Sequence, residues 1–232
     1  QLTSIPVAWT PPTNGVLSGE VIVAPMSKLR HFDEWKGKLA GKIVMISMPG
    51  TGSEPDKPAF RRFTGEELSK LDAFTQPEHD PEELNARLKR VEFVEKLDAF
   101  LKAEGAIGWV RISYRDGKLV HGAGYNFRTG RTLNLPGIEL AAEDYRRLVR
   151  LTKTGRKPVI EFENNVRFDD SDRNGYNIIA EIPGSDPKAG VIVAACHLDS
   201  WDQGTGAIDD ASGCGIVAAA ALQVAKAGAR AD

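Results

Sequence analysis

The segment HLDSWDQGTGAIDDASG, residues 197–213, combines a histidine and several carboxylates in a pattern suited to metal binding. His197 lies at the end of an apolar run typical of a buried strand, and open α/β sheets form their binding crevices at such strand ends. Strand geometry places Asp199 on the same side as His197, where its carboxylate can accept the second ring N–H and fix the ligating tautomer. A glycine-rich loop and the pair Asp209-Asp210 follow.

Each of these residues also has an explanation without a metal. Asp209 and Asp210 directly precede a predicted helix, and the helix dipole favours carboxylates there. Asp210 would then cap the helix, Asp209 would be a solvated neighbour, and His197 would be a hydrogen-bonded strand end. The buried strand, H-x-D, glycine loop and D-D-x-S-G together are more specific than any one of them. The combination therefore favours a metal site.

A second pattern matches the calcium loop of an EF-hand. Its residues are Asp170, Asp172, Asn174, Gly175 and Glu181. An EF-hand loop joins two helices, whereas predicted strands flank this segment on both sides. The pattern therefore favours a polar turn over a calcium site.

Gly213, Gly215 and Ala218 match the G-x-G-x-x-[GA] pattern of dinucleotide-binding folds. That fold needs its first glycine directly after a strand, so that the helix N-terminus faces a pyrophosphate. Here thirteen residues separate Gly213 from the predicted end of the strand at Asp199. Close packing of a Gly- and Ala-rich helix on a sheet is the favoured interpretation.

Two further side chains could serve as nucleophiles. Strand alternation directs Cys196 away from His197, so a buried free thiol is expected there. Ser212 has no base placed near it by the sequence, and packing at the helix start accounts for it. The second cysteine is Cys214, and two cysteines do not provide a disulfide scaffold or indicate a redox compartment.

The elements that would position these residues alternate between strands and helices, which predicts an α/β fold class. We expect an α+β domain over residues 1–158, with an insertion at 50–83, and the start of a mixed-sheet α/β domain over 159–232. Residues 50–83 contain many charges and prolines, and one short helix is predicted there at 66–74. Elsewhere the pattern predicts strands at 21–25, 42–48, 106–112, 159–166, 177–182 and 189–199, and helices at 81–104, 142–152 and 211–227.

Composition argues against two classes of partner. The 232 residues contain 30 Lys and Arg against 32 Asp and Glu, a net charge of −2, so nucleic acid is not expected to bind. The longest apolar run, at residues 216–222, is far shorter than the roughly 20 residues of a membrane span. Residue 1 is Gln rather than Met, and we expect that a segment upstream has been removed.

The motif at 197–213 resembles the first metal-binding segment of the co-catalytic zinc aminopeptidases, exopeptidases of the carboxypeptidase Q and glutamate carboxypeptidase type. NIIAEIPGSDP, which precedes it, is similar to the stretch leading into that segment in those enzymes. GKLAGKIVMIS, FLKAEGAIGWVRIS and LPGIELAAEDYRRLVRL resemble the protease-associated domain that many members carry ahead of it. The resemblance covers nearly the whole chain and is strongest at residues 176–213.

The resemblance implies a role for each residue of the motif. His197 would be a terminal ligand of one zinc, Asp209 the carboxylate that bridges two zincs, and Asp199 the catalytic residue that orients His197. The Asp209–Asp210 peptide bond would be cis. A metal-held water would hydrolyse peptides or dipeptides with a free N-terminus, with a glutamate removing its proton. The family also implies a secreted or periplasmic location.

The sequence departs from the family pattern after Asp209. Members supply the general-base glutamate, a further acidic ligand and a final histidine downstream, whereas residues 210–232 contain no Glu and no His. The other histidines, His31, His79 and His121, are expected at the surface or in loops. We therefore expect a metallo-exopeptidase cut within its catalytic domain and inactive as this chain. The alternatives are a protease-associated binding module without catalysis and a fragment of a dinucleotide-binding oxidoreductase.

Overall fold

The computed structural model describes residues 1–52, 61–71, 81–122, 124, 132–186, 188, 190–201 and 203–228. The chain forms two compact units, Gln1–Arg167 and Phe168–Asp232. The first unit contains a mixed sheet with helices packed against it. The second contains the motif at 197–213 and one long helix.

The sheet of the first unit has a parallel centre and antiparallel edges. Its order is β1-β5-β4-β3-β2-β6; β2 to β5 run parallel, while β1 pairs antiparallel with β5 and β6 antiparallel with β2. The first half of β2 pairs with β6 and its second half with β3, so the sheet curls at this edge. The strands are β1 Ser4–Pro6, β2 Leu17–Val23, β3 Ile43–Met45, β4 Gly108–Ile112, β5 Gly137–Leu140 and β6 Val159–Phe162.

The described residues also form helices in both units. Three connect or precede strands of the sheet, and α4 follows β5 with an apolar face that includes Tyr145 and Leu148. The helix α5 belongs to the second unit. The helices are α1 Phe32–Trp35, α2 Gly65–Leu71, α3 Pro81–Ala103, α4 Ala142–Lys153 and α5 Ala211–Ala227, with a 3-10 turn at Leu29–His31.

Apolar cores cover both faces of the sheet. Successive residues of a strand point to opposite faces, so Val44 joins the core beneath α3, while Ile43 and Met45 join the core beneath α4. All three side chains are fully buried. This explains why β3 is a continuous apolar run rather than an alternating one. Only the C-terminal half of α3 is buried, through Leu97 and Leu101.

Several buried polar groups of the first unit are paired. The Tyr145 hydroxyl donates to the Ser47 carbonyl at 2.8 Å and accepts from the Ser47 N–H at 3.0 Å. Burial raises the pKa of Tyr145, so the phenol stays protonated. Glu139 in β5 accepts from Arg111 Nε at 2.9 Å and from the His121 N–H at 2.7 Å. These bonds tie loops and α4 to the sheet.

The predicted α/β class is confirmed, and the helices at 81–104, 142–152 and 211–227 match α3, α4 and α5 closely. The predicted helix at 66–74 corresponds to α2 as far as Leu71, and residues 72–80 lie outside the described ranges. Strands β1 and β5 were not foreseen. Both are short, and β5 is buried along its whole length, so neither shows the alternation that identifies a strand.

The second unit differs from the sequence prediction. The strands predicted at 177–182 and 189–199 are wrong: the described residues there form no strand, and Ile178, Ile179 and Val191 are each more than 80% exposed. Apolar runs of this kind form strands only when neighbouring strands accept their backbone hydrogen bonds. Only the first four residues of the strand predicted at 159–166 form a strand, β6 at Val159–Phe162. It belongs to the sheet of the first unit, and that unit extends to Arg167.

Candidate metal centre

His197 lies between two carboxylates. Its Nδ1 is 3.1 Å from Asp199 Oδ1 and 3.1 Å from the Asp199 carbonyl oxygen, and its Nε2 is 2.8 Å from Asp209 Oδ1. The loop between residues 200 and 208 therefore brings together two side chains that are 12 residues apart. All three side chains are accessible, with 49%, 88% and 69% of His197, Asp199 and Asp209 exposed.

The two carboxylates favour a positive charge, a proton or a metal ion, at the His197 imidazole. A neutral imidazole has one N–H, so it can donate to only one of the two acceptors, and the other nitrogen lone pair then faces a carboxylate oxygen. A proton or a metal ion on Nε2 removes that conflict. The hydrogen bond to Asp209 accordingly raises the pKa of His197, with Asp199 contributing in the same direction and burial opposing it.

Asp210 organises the start of α5. Its Oδ1 accepts from the Gly213 N–H at 3.1 Å, which is an ordinary N-cap, and its Oδ2 lies 3.4 Å from the His197 N–H. Asp210 thus caps the helix, as the explanation without a metal expected for this residue. The Asp209–Asp210 peptide bond is cis, as the resemblance implies.

Cys196 and Cys214 form a disulfide, so the prediction of a buried free thiol at Cys196 is wrong. The alternation argument required a strand at Cys196, and the structure has none there. The loop returns instead, so that the Cα atoms of the two cysteines are 5.1 Å apart. One sequence signal for the pair was available: the two cysteines of the chain flank the metal motif.

The donor chemistry of His197 and Asp209 suits zinc, which binds imidazole nitrogen and carboxylate oxygen. Asp199 occupies the position of an orienting partner for Nδ1. Within the described ranges, however, no group of three or more His, Cys, Asp or Glu is arranged to hold a metal ion. The structure thus brings together two candidate ligands and one supporting carboxylate.

The other candidate sites do not assemble. In the calcium-like segment Asp172 accepts from the Asn174 N–H at 2.9 Å and from the Tyr176 hydroxyl at 2.7 Å, and no helix flanks it. The N-terminus of α5 is occupied by the Asp210 carboxylate, which disfavours a pyrophosphate there. The Ser212 hydroxyl donates to the Ile208 carbonyl at 2.6 Å.

Two of the remaining histidines make local contacts. His31 Nδ1 accepts from the Ser27 N–H at 3.2 Å, and the His121 ring packs edge-on against Tyr114. Both belong to the first unit. His79 lies outside the described residues.

Comparison with known proteins places the C-terminal part of the chain in a class. Residues 177–232 match the family model "Peptidase family M28". The resemblance to the co-catalytic zinc peptidases is thereby confirmed over the segment that contains His197, Asp199 and Asp209. The match does not extend to the first unit.

Individual relatives agree with this class. Carboxypeptidase Q of Xenopus laevis is 38% identical over 82 residues, 35% of this chain and 17% of the relative. Leupeptin-inactivating enzyme 1 of Streptomyces exfoliatus is 46% identical over 61 residues, 26% of this chain and 14% of the relative. The chain thus spans less than a fifth of the length of these curated relatives.

One solved structure shares the fold over most of the chain. The crystal structure of a peptidase M28 precursor from Shewanella amazonensis covers 93% of this chain, which corresponds to 42% of that one, with a TM-score of 0.53 and 21% identity. At this identity the likeness concerns the fold alone.

Within the described ranges no helix is long and apolar enough to cross a membrane.

Proposed function

We propose that this chain contributes the first metal-binding segment of a zinc-dependent exopeptidase. The observation that carries the proposal is the placement of His197 Nε2 at 2.8 Å from Asp209 Oδ1, in the segment that matches peptidase family M28. In this proposal His197 and Asp209 are zinc ligands, Asp209 being the residue shared by two ions. A zinc ion bound there would supply Lewis acidity and an acidified water for peptide hydrolysis.

The protein's own residues prepare these ligands. With the proton on Nδ1, Asp199 would accept it, and the Nε2 lone pair beside Asp209 would be free to bind a cation. Asp210 caps the first turn of α5 with one carboxylate oxygen, and its other oxygen lies 3.4 Å from the His197 backbone nitrogen. The proton acceptor for the attacking water is not among these residues, because both carboxylates beside His197 are used for positioning and ligation.

The proposed substrates are peptides or dipeptides with a free N-terminus. The support is the match of residues 177–232 to a peptidase family and the name of one curated relative, carboxypeptidase Q, which is that of a peptidase. With two ligands brought together, we expect weak zinc uptake and no measurable turnover by the 232-residue chain itself.

We propose that the first unit is a protease-associated domain that governs access of substrate or partner to the peptidase. Its support is a sheet with its own core on both faces, independent of the metal motif. A binding module of this kind, without catalysis, is also the alternative to the proposed peptidase function. A chain that binds zinc at His197 favours the peptidase, whereas a chain that binds a peptide through the first unit without zinc favours the module.

We further propose a secreted or periplasmic location. The Cys196–Cys214 disulfide supports it, because disulfides persist in oxidising compartments and are rare in the cytosol.

The proposal is tested by peptidase assays on this chain and on any longer natural form of the protein. Dipeptides with a free and with an acetylated N-terminus are compared, with and without added zinc. We expect hydrolysis of the free form by the longer protein, lost in His197→Ala and Asp209→Asn and kept in the control Asp186→Asn. Normal rates in either ligand variant would contradict the assignment. Hydrolysis of acetylated dipeptides at the same rate would contradict the free N-terminus requirement.

A further inference from the structure

The two cysteines of the disulfide directly flank the metal motif at residues 197–213. Cys196 is the residue before His197, and the Cys214 N–H donates to the Asp210 carbonyl at 3.0 Å in the first turn of α5. The bond closes a loop between positions 18 residues apart. That loop contains His197, Asp199 and Asp209, which are the two candidate ligands and the orienting carboxylate.

The other described contacts between His197 and the start of α5 are weak. The His197 N–H lies 3.4 Å from Asp210 Oδ2, near the limit of a hydrogen bond. Cys214 Sγ lies 3.4 Å from the His197 carbonyl oxygen, but a disulfide sulfur has no proton, so this distance reports packing alone. Both contacts compete with water at an exposed site.

No regular structure otherwise holds His197 in place. The described residues from 190 to 201 form no strand, and nearly all of them are exposed. In contrast, Cys196 and Cys214 are half-buried against each other. A covalent link that closes a loop removes conformational freedom that weak contacts would have to overcome.

We propose that the Cys196–Cys214 disulfide is a positioning element of the metal site: it holds the His197 imidazole at Asp209, and the affinity of this pair for a divalent cation depends on it. The inference rests on the proposed function, since it concerns the same two ligands. It assigns both cysteines to positioning and neither to ligation, because their sulfurs are consumed by the bond to each other.

The test compares the 232-residue chain with the double variant Cys196→Ser/Cys214→Ser. The double variant is required because a single replacement leaves a free thiol that itself binds zinc. Ser212→Ala is the matched control, since it removes a hydrogen bond from the same helix start without touching a ligand. A thiol assay under denaturing conditions first confirms the bond, with no free thiol before reduction and two per chain afterwards.

Zinc binding is then followed by the imidazole ¹⁵N signals of His197 during titration with zinc chloride. We expect zinc affinity to fall roughly tenfold or more in the double variant and to stay unchanged in Ser212→Ala. A tenfold loss corresponds to a modest share of the stabilising free energy that closing a loop of this size provides. The α5 amide signals must stay helical in both variants. Unchanged zinc affinity in the double variant would overturn the proposal, and so would loss of α5, because the bond would then support the helix rather than the site.

A second readout separates this inference from the proposed function. In the metal-free chain, the ¹⁵N shifts of His197 report whether its ring still faces Asp209. If the wild-type chain shows no zinc response at His197, the proposed zinc site fails. In that case, the positioning role is supported if the contact of the His197 ring with Asp209 is lost in the double variant and kept in Ser212→Ala. It is contradicted if the double variant keeps the contact.

Discussion

At the scale of single residues, the site depends on how one imidazole is oriented. Both ring nitrogens of His197 face carboxylate oxygens, at 3.1 Å for Asp199 and 2.8 Å for Asp209. A neutral ring satisfies one of them, so the arrangement favours a cation at the other. The H-x-D spacing predicted this pairing from strand geometry. The structure has no strand there, yet a carboxylate two residues after a histidine reaches its ring from irregular backbone as well.

The orienting role of Asp199 is tested by Asp199→Asn. The amide can still contact Nδ1 but carries no charge, so the imidazole becomes a weaker ligand, and we expect zinc affinity to fall by about 10- to 100-fold. The measurement is a zinc titration followed by the His197 ring signals. Asp186→Asn, an exposed carboxylate that accepts from the Lys188 N–H, serves as the control. Equal zinc affinity in wild type and Asp199→Asn would remove Asp199 from the site.

At the scale of elements, the sheet of the first unit is constrained where strands β4 and β5 meet. A Cβ at Gly137 would lie 2.3 Å from the ring of Trp109, which is buried. Gly137→Ala should therefore destabilise the first unit by about 1–3 kcal/mol through overpacking. Urea denaturation followed by tryptophan fluorescence measures this. Gly65→Ala is the control, because a Cβ there meets nothing within 4 Å, and equal stability of the two variants would contradict the packing.

The contact between α4 and the N-terminal segment makes stability depend on pH. Burial raises the pKa of Asp144, but the bonds from the Lys118 ammonium and the Thr3 N–H outweigh it and hold the pKa below its usual range. A carboxyl with a lowered folded-state pKa adds stability above its unfolded pKa of about 3.9. That contribution disappears as the pH falls through the folded-state pKa.

Asp144→Asn tests this linkage. We expect it to lower the free energy of unfolding by about 2 kcal/mol at neutral pH, the scale of a hydrogen bond to a charged group, and by progressively less below about pH 4. Denaturation curves at several pH values give the difference, with the exposed Asp33→Asn as the control. A difference that grows as the pH falls would show that the sign is wrong.

At the scale of the whole molecule, the sequence predicted the helices and the α/β class better than the strands. The helix α5 was readable from its Asp210 cap and its continuous Ala-rich pattern, which are local properties. The strands predicted at 177–182 and 189–199 depend on partners elsewhere in a sheet, which no local pattern reveals. The same error misplaced Cys196, because its orientation was inferred from a strand.

The candidate site was predictable for a different reason. His197, Asp199, Asp209 and Asp210 all lie within 14 residues, counting from 197 to 210, so a single loop brings them together. The disulfide was not predicted, since it requires the loop to return on itself. The two units also divide after Arg167, and the first includes β6, whose pairing with β2 joins residues far apart in the chain.

The central claim is that His197 and Asp209 together bind zinc, and crystals of this chain soaked in zinc chloride test it most directly. An anomalous difference map recorded at the zinc absorption edge is predicted to show a peak about 2.0–2.2 Å from both His197 Nε2 and Asp209 Oδ1. The peak should be absent in His197→Ala. A map with no peak at this pair, or with peaks only at His31 or His121, would contradict the claim.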